Sequence, residues 1–170
     1  MRSVRLFVLY LFQSFRWGPS TIIAGQGKGS VLNGYGFYMD ILARPRKVDG
    51  SLSLGPTAPR SRSNQLQAGR PDRRPSDDGG HFIASHFNGP SDSFNHFAQN
   101  SNFNRGAYRA MEDGWAMELR AGKKVVVDIV PHYAGASRRP DSITVTWFVD
   151  SQRKRKIFPN EAKGQSNGKR

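Results

Sequence analysis

Residues 76–113 read SDDGGHFIASHFNGPSDSFNHFAQNSNFNRGAYRAMED, and the two halves of this stretch follow different periods. In the second half Tyr108 and Met111 stand three apart, and Trp115 and Leu119 continue the series in steps of four. That is one apolar face of a helix. The spacing predicts a helix over 104–120, stopped by Gly122, with Arg120 and Lys123 near the negative end of its dipole. The first half has no such period. HFIAS reads as a short strand starting at His81, and FNGPSDSFN as a loop made of turn-forming residues.

Outward from this centre the pattern is that of strands. Residues 35–42 and 51–54 form the first two, separated by ARPRKVDG, whose Pro45 and Asp49-Gly50 read as a hairpin connection. Residues 56–75 read as a basic linker ending in Pro75. Downstream, 124–130 and 142–150 are rich in β-branched residues and predict an antiparallel pair. Strands, a loop, one main helix and then strands make an α+β fold with a mainly antiparallel sheet. The predicted organisation is a poorly ordered segment over 1–33, one folded domain over 34–160 and a basic flexible tail over 161–170. The apolar run Leu6 to Phe12 follows two arginines, the order of a signal peptide, but is too short to span a bilayer, which needs about 20 residues.

Charge is unevenly placed. The 170-residue chain carries a formal +13. Residues 76–113 hold 2 basic and 5 acidic side chains, against 12 and 3 before them and 12 and 5 after them. A slightly acidic centre within basic flanks suits a cation beneath a polyanion, so nucleic acid is the first candidate partner. Cysteine is absent, which excludes disulfides, thiolate metal sites and a cysteine nucleophile. Any metal is held by oxygen and imidazole, which points to Mg²⁺, with Mn²⁺ or Ca²⁺ as alternatives, before zinc.

The central stretch contains the parts for phosphodiester hydrolysis. Neutral imidazole accepts a proton from water near neutral pH, and His81, after Gly79 and Gly80, is the candidate base. Magnesium keeps most of its waters and needs few protein ligands, so the side-chain carbonyl of Asn104 suffices as an anchor. Glu112, eight residues on, could orient water from two helical turns away. Asp77 and Asp78 read as acidic turn formers before the glycines. His86, His96 and His132 read as ordinary surface or hydrogen-bonded histidines.

Three pieces, Asp78-Gly79-Gly80-His81, Asn95-His96-Phe97-Ala98-Gln99 and Asn104-Arg105-Gly106-Ala107-Tyr108 followed by Glu112, resemble the motifs of the DNA/RNA non-specific endonucleases. These are one-metal nucleases with a ββα-metal (His-Me finger) core. The likeness is closer to a bacterial subgroup, frequent as toxin modules, with DDGGH in place of DRGH, and it covers roughly residues 34–160. The resemblance implies His81 as general base, Asn104 as the ligand of one Mg²⁺, Glu112 as a water-orienting carboxylate and Asn95 as a polar active-site residue. It further implies DNA and RNA as substrates, export from a bacterium rather than a cytoplasmic place, and an immunity protein as a partner. Gly79 stands where the DRGH form has a phosphate-holding arginine, so that charge must come from Arg73, Arg74, Arg105 or Arg109. A different class, a catalytically inactive basic nucleic-acid-binding module, is the alternative, and dependence on a divalent metal separates the two.

Overall fold

The computed structural model describes residues 29–57 and 59–162. Expectations for 1–28, the signal-peptide order included, and for 163–170 lie outside the described residues. The fold is α+β. Six strands, β1 (Gly29–Leu32), β2 (Tyr35–Met39), β3 (Pro45–Ser51), β6 (Val125–His132), β7 (Ser142–Val149) and β8 (Gln152–Pro159), form one sheet in the order β1-β2-β3-β6-β7-β8. Each neighbouring pair is antiparallel. A separate hairpin joins β4 (Asp77–His81) to β5 (His96–Asn100).

Period 2 sets the inner face of the large sheet. Val125, Val127 and Ile129 of β6 are buried while their alternates are more open, and in β7 Ile143 and Val145 are buried together with Thr144 between them. Against them pack Phe82, Phe97, Phe103, Tyr108 and Trp115. Full burial of each such side chain stabilises by roughly 1.5–3 kcal/mol.

The main helix starts earlier than its apolar period indicates. Asn100 caps it, its side-chain oxygen accepting from Asn102 N at 3.1 Å and Phe103 N at 3.3 Å. The helix then runs through α2 (Ser101–Phe103), a π turn (Asn104–Tyr108) and α3 (Arg109–Arg120). An asparagine acceptor at the N-cap starts the helix, and Phe103 in its first turn is buried in the core.

Four further elements differ from the expectations or add to them. The second strand is β3, which takes in most of the segment read as a hairpin connection. The turn instead closes on Asp40, whose Oδ1 accepts from Leu42 N and Arg44 N, both at 2.9 Å, and Pro45 opens the strand, where its missing N–H is tolerated. The basic linker contains α1 (Arg62–Gln67), capped by Ser61. The basic run after Asp150 is β8, paired with β7 from Val149↔Gln152 to Ser142↔Pro159. Finally, Gly29–Leu32 pairs as a strand inside the segment expected to be poorly ordered.

Asp77 is not a turn former. It lies in β4, and its carboxylate takes a bidentate grip from Arg139, at 2.8 Å to Nε and 3.0 Å to Nη2. Arg139 Nη2 also donates to Asn160 O at 2.7 Å, and Asn160 accepts from Asn100 N and donates to Ala98 O, both at 2.8 Å. This buried network fastens the β4–β5 hairpin to the end of the large sheet. Removing one member leaves a buried charge without its partner, so Arg139→Ala is expected to lose about 3–5 kcal/mol of unfolding free energy in a denaturant titration. A loss below about 1 kcal/mol, the scale of a surface ion pair, would mean the network does not hold the hairpin.

Candidate active site

Strand β4 carries the site's first residues, and its two glycines are required by packing. A Cβ on Gly79 would sit 2.3 Å from the Gln65 carbonyl oxygen, and one on Gly80 would sit 1.8 Å from Gln99 Oε1. The close approach that the glycines permit is thus to α1 and to Gln99, within the protein. An arginine at position 79 has no room because α1 lies across it.

His81 ends the strand and lines a cavity of about 510 Å³. Neither ring nitrogen has a hydrogen-bond partner among the described residues. Burial, helped by neighbouring His96 and the Arg60 guanidinium, pushes its pKa down to about 4. The ring is therefore neutral, with a free acceptor nitrogen, throughout the physiological range.

The π turn delivers the next residues to the same cavity. Such turns are frequent at functional sites because they re-aim side chains out of the α register. The turn is anchored from below by Tyr108, whose hydroxyl donates to Phe82 O at 3.0 Å. Asn104 donates from Nδ2 to Asp78 Oδ2 at 2.9 Å, and its Oδ1 is left without a hydrogen-bond partner among the described residues. Asp78 also accepts from Arg105, Nε at 3.0 Å and Nη2 at 2.9 Å. Burial would raise the Asp78 pKa, but the hydrogen bonds from Arg105 and Asn104 outweigh it and hold the carboxylate below its usual range.

Glu112 faces the cavity from α3, 9% exposed and without a hydrogen-bond partner among the described residues. Burial pushes its pKa up to about 8; Arg109 opposes the rise and Asp113 adds to it. A carboxylate so disfavoured as an anion fits a place where another positive charge is meant to sit.

The donor set tests the metal expectation. Among the described residues no group of three or more His, Asp or Glu could cage an ion. The oxygen donors that line the same cavity, Asn104 Oδ1 and the Asp78 and Glu112 carboxylates, are of the kind that suits a hard divalent cation retaining most of its own waters.

The arginines divide. Arg60, Arg62, Arg73, Arg105 and Arg109 line the cavity. Arg73 donates to the carbonyls of Gln65 and, at 2.8 Å, Asp77, so its guanidinium is fixed near the place that Gly79 leaves uncharged. Arg74 does not line the cavity; it pairs with Glu161, Nη1 donating to both carboxylate oxygens at 2.7 and 2.9 Å. Arg60 and Arg62 escaped the sequence reading because nothing in the linker's composition indicated that α1 would fold over β4.

Asn95, expected as a polar active-site residue, is fully buried in the loop after His81. Its amide donates to Ile83 O and Pro90 O at 2.9 and 2.8 Å and accepts from Ile83 N at 3.0 Å. It shapes the loop after His81 and does not line the cavity. His86 does line it, and His96 lies directly behind His81, ring centroids 4.3 Å apart.

Comparison with known proteins places this geometry in context. The family model of the DNA/RNA non-specific endonucleases matches residues 26–151. Type VII secretion system protein EssD of Staphylococcus aureus, from strains USA300 and NCTC 8325 / PS 47, is 36% identical over 95 residues, 52% of this chain. The chain spans only 16% of the length of those relatives. The crystal structure of NucA from Streptococcus agalactiae, with magnesium ion bound, aligns with a TM-score of 0.55 at 14% identity, over 82% of this chain and 86% of that one. At that identity the likeness is one of fold.

Proposed function

The chain belongs to the DNA/RNA non-specific endonuclease family, and from that premise we propose that it is a Mg²⁺-dependent, sequence-tolerant endonuclease acting on DNA and RNA. One observation carries the reading: a neutral histidine, an asparagine with a free carbonyl oxygen and an uncompensated carboxylate share one cavity walled by five arginines.

The arginines bind the phosphodiester backbone, which carries little sequence information. Arg73, held by two main-chain carbonyls, meets the phosphate with little conformational freedom left to lose. His81 accepts a proton from water as the water oxygen attacks phosphorus, and the bond to the leaving ester oxygen breaks. Glu112 orients that water, and Asp78 fixes Asn104 and Arg105 relative to each other. Asn104, assisted by Asp78 and Glu112, would hold a divalent cation, which when bound polarises a phosphoryl oxygen and stabilises the leaving oxygen. Mg²⁺ is the first choice because NucA, the structural neighbour, is described with magnesium bound. Mn²⁺ suits the same oxygens.

Export and an inhibitory partner belong to the same proposal. The likeness to a type VII secretion system protein supports export, and a nuclease that meets its own cell's nucleic acid needs restraint, hence an immunity protein. Among the described residues no helix is long and apolar enough to cross a membrane.

The test is supercoiled plasmid at low salt, with Mg²⁺ and with EDTA. Nicking and linearisation are expected with Mg²⁺ alone. Because affinity rests largely on counterion release, cleavage below saturation should fall by orders of magnitude between about 50 and 200 mM salt. Retarded but intact plasmid under both conditions would mean a binding module without chemistry.

A further inference from the structure

His81 and His96 face each other across the β4–β5 hairpin as a cross-strand pair, with ring centroids 4.3 Å apart and planes tilted by 50°. Side chains directly opposite in an antiparallel pair make the closest cross-strand contacts. His96 is 4% exposed. Its Nδ1 lies 2.8 Å from the Asp92 carbonyl oxygen, and since a carbonyl can only accept, Nδ1 carries the hydrogen. In the neutral ring this leaves Nε2 as a bare lone pair. That atom is fully enclosed and has no hydrogen-bond partner among the described residues.

A buried acceptor with no donor costs free energy, of the order of 1–3 kcal/mol. A phenylalanine at the same place would pack without that cost, as Phe82 and Phe97 do on the neighbouring positions of the same hairpin. The imidazole is therefore either a tolerated defect or a group whose acceptor is used at another moment. During hydrolysis His81 takes a proton and becomes a cation beside it.

We propose that His96 is a positioning residue for His81: it fixes the plane of the base through the Asp92 carbonyl and presents an electron-rich, neutral ring that supports the imidazolium formed when His81 accepts the proton from water. No covalent bond to His96 forms, and the proton stays on His81 until solvent removes it. The aromatic face supplies part of the support and the Nε2 lone pair the part that only a nitrogen gives. This rests on the reading of His81 as general base. The charged groups that act on the pair are Arg60 before α1, on His81, and Asp92 in the loop before β5, on His96; Asp78, His86, Glu112 and the other four cavity arginines share the cavity with His81. Of these, only Asp92 makes a hydrogen bond to either imidazole, through its main-chain carbonyl.

The experiment compares His96→Phe and His96→Gln with the wild-type protein and His81→Ala, with Mg²⁺, in kcat and KM. His96→Phe keeps an aromatic ring against His81. It is expected to lower kcat about tenfold or more while KM moves less than twofold and the melting temperature stays level or rises. His96→Gln restores an acceptor and should recover part of the loss. Full kcat in His96→Phe would make His96 a core filler and overturn the proposal, as would equal kcat in the two His96 variants. If neither variant folds, the ¹⁵N spectrum of the wild-type imidazoles decides: a hydrogen on Nε2 of His96 refutes the arrangement, and one on Nδ1 upholds it. An active His81→Ala would instead defeat the reading of His81 itself.

Discussion

His81→Ala is expected to abolish plasmid cleavage, with kcat lower by about 10²–10⁴-fold, the usual contribution of a positioned general base. The variant should still retard plasmid in EDTA, because the five arginines lining the cavity are untouched. Retained binding with lost turnover is what distinguishes removal of a base from collapse of the site. The same substitution has a second signature, in stability. Burial holds the pKa of the His81 imidazole at about 4, below its ordinary value of 6.5. Between those values the unfolded chain takes up a proton that the folded chain refuses, so stability is complete above pH 6.5 and drains away as pH falls toward 4. The share due to His81 is on the order of 3 kcal/mol. His81→Ala should therefore melt less steeply with acidification than the wild-type protein. A variant that cleaves within tenfold of wild type would remove His81 from the mechanism; one that shows the wild-type acid dependence of melting would mean that its ring is not buried in the neutral form.

What could be read in the sequence followed from which forces acted locally. The helix announced itself because Tyr108, Met111, Trp115 and Leu119 must all turn to one side, and β6 and β7 because period-2 burial of valine and isoleucine leaves a plain trace. Position 158 shows the limit. Phe158 is the one buried position within Gln152–Pro159, and four consecutive basic residues conceal a strand whose partner, β7, supplies its register. Helix α1 was equally hidden. Its residues RSNQLQ have no apolar stripe, and its place is set by Gly79, which admits its backbone at a distance no side chain would allow. That single tertiary contact explains why Arg60 and Arg62 reach the cavity alongside Arg73, which no spacing in the chain discloses for the first two. The place of Asn95 was hidden for a related reason. A polar residue in a loop looks available from the sequence, whereas the backbone amides and carbonyls of the folded loop bind all of its side chain.

Glu112→Gln should raise stability and lower activity together. In the metal-free protein Glu112 is pushed up to about 8 from 4.5, with burial the main cause. Above pH 4.5 the unfolded chain gives up a proton that the folded chain retains, so the neutral carboxyl favours folding less and less as pH rises, until the loss is complete at about pH 8. At that pH the buried acid costs on the order of 4 kcal/mol relative to a group that never ionises. Glutamine occupies nearly the same volume without the charge. In EDTA at pH 8 the variant is expected to melt about 8–16 °C higher than wild type, and the difference should shrink toward pH 4.5. Adding Mg²⁺ should narrow the gap from the other side, because a cation favours the ionised carboxylate, so its binding releases a proton and strengthens as pH rises. Cleavage by Glu112→Gln should meanwhile fall roughly 10²-fold, since an amide orients water and a developing charge less well than a carboxylate. Such a trade of stability for activity is the mark of a group kept for function at the expense of the fold. A variant no more stable than wild type at pH 8 in EDTA would show that the carboxylate is already compensated without a cation. The case for a metal between Asn104 and Glu112 would then lose its strongest electrostatic support.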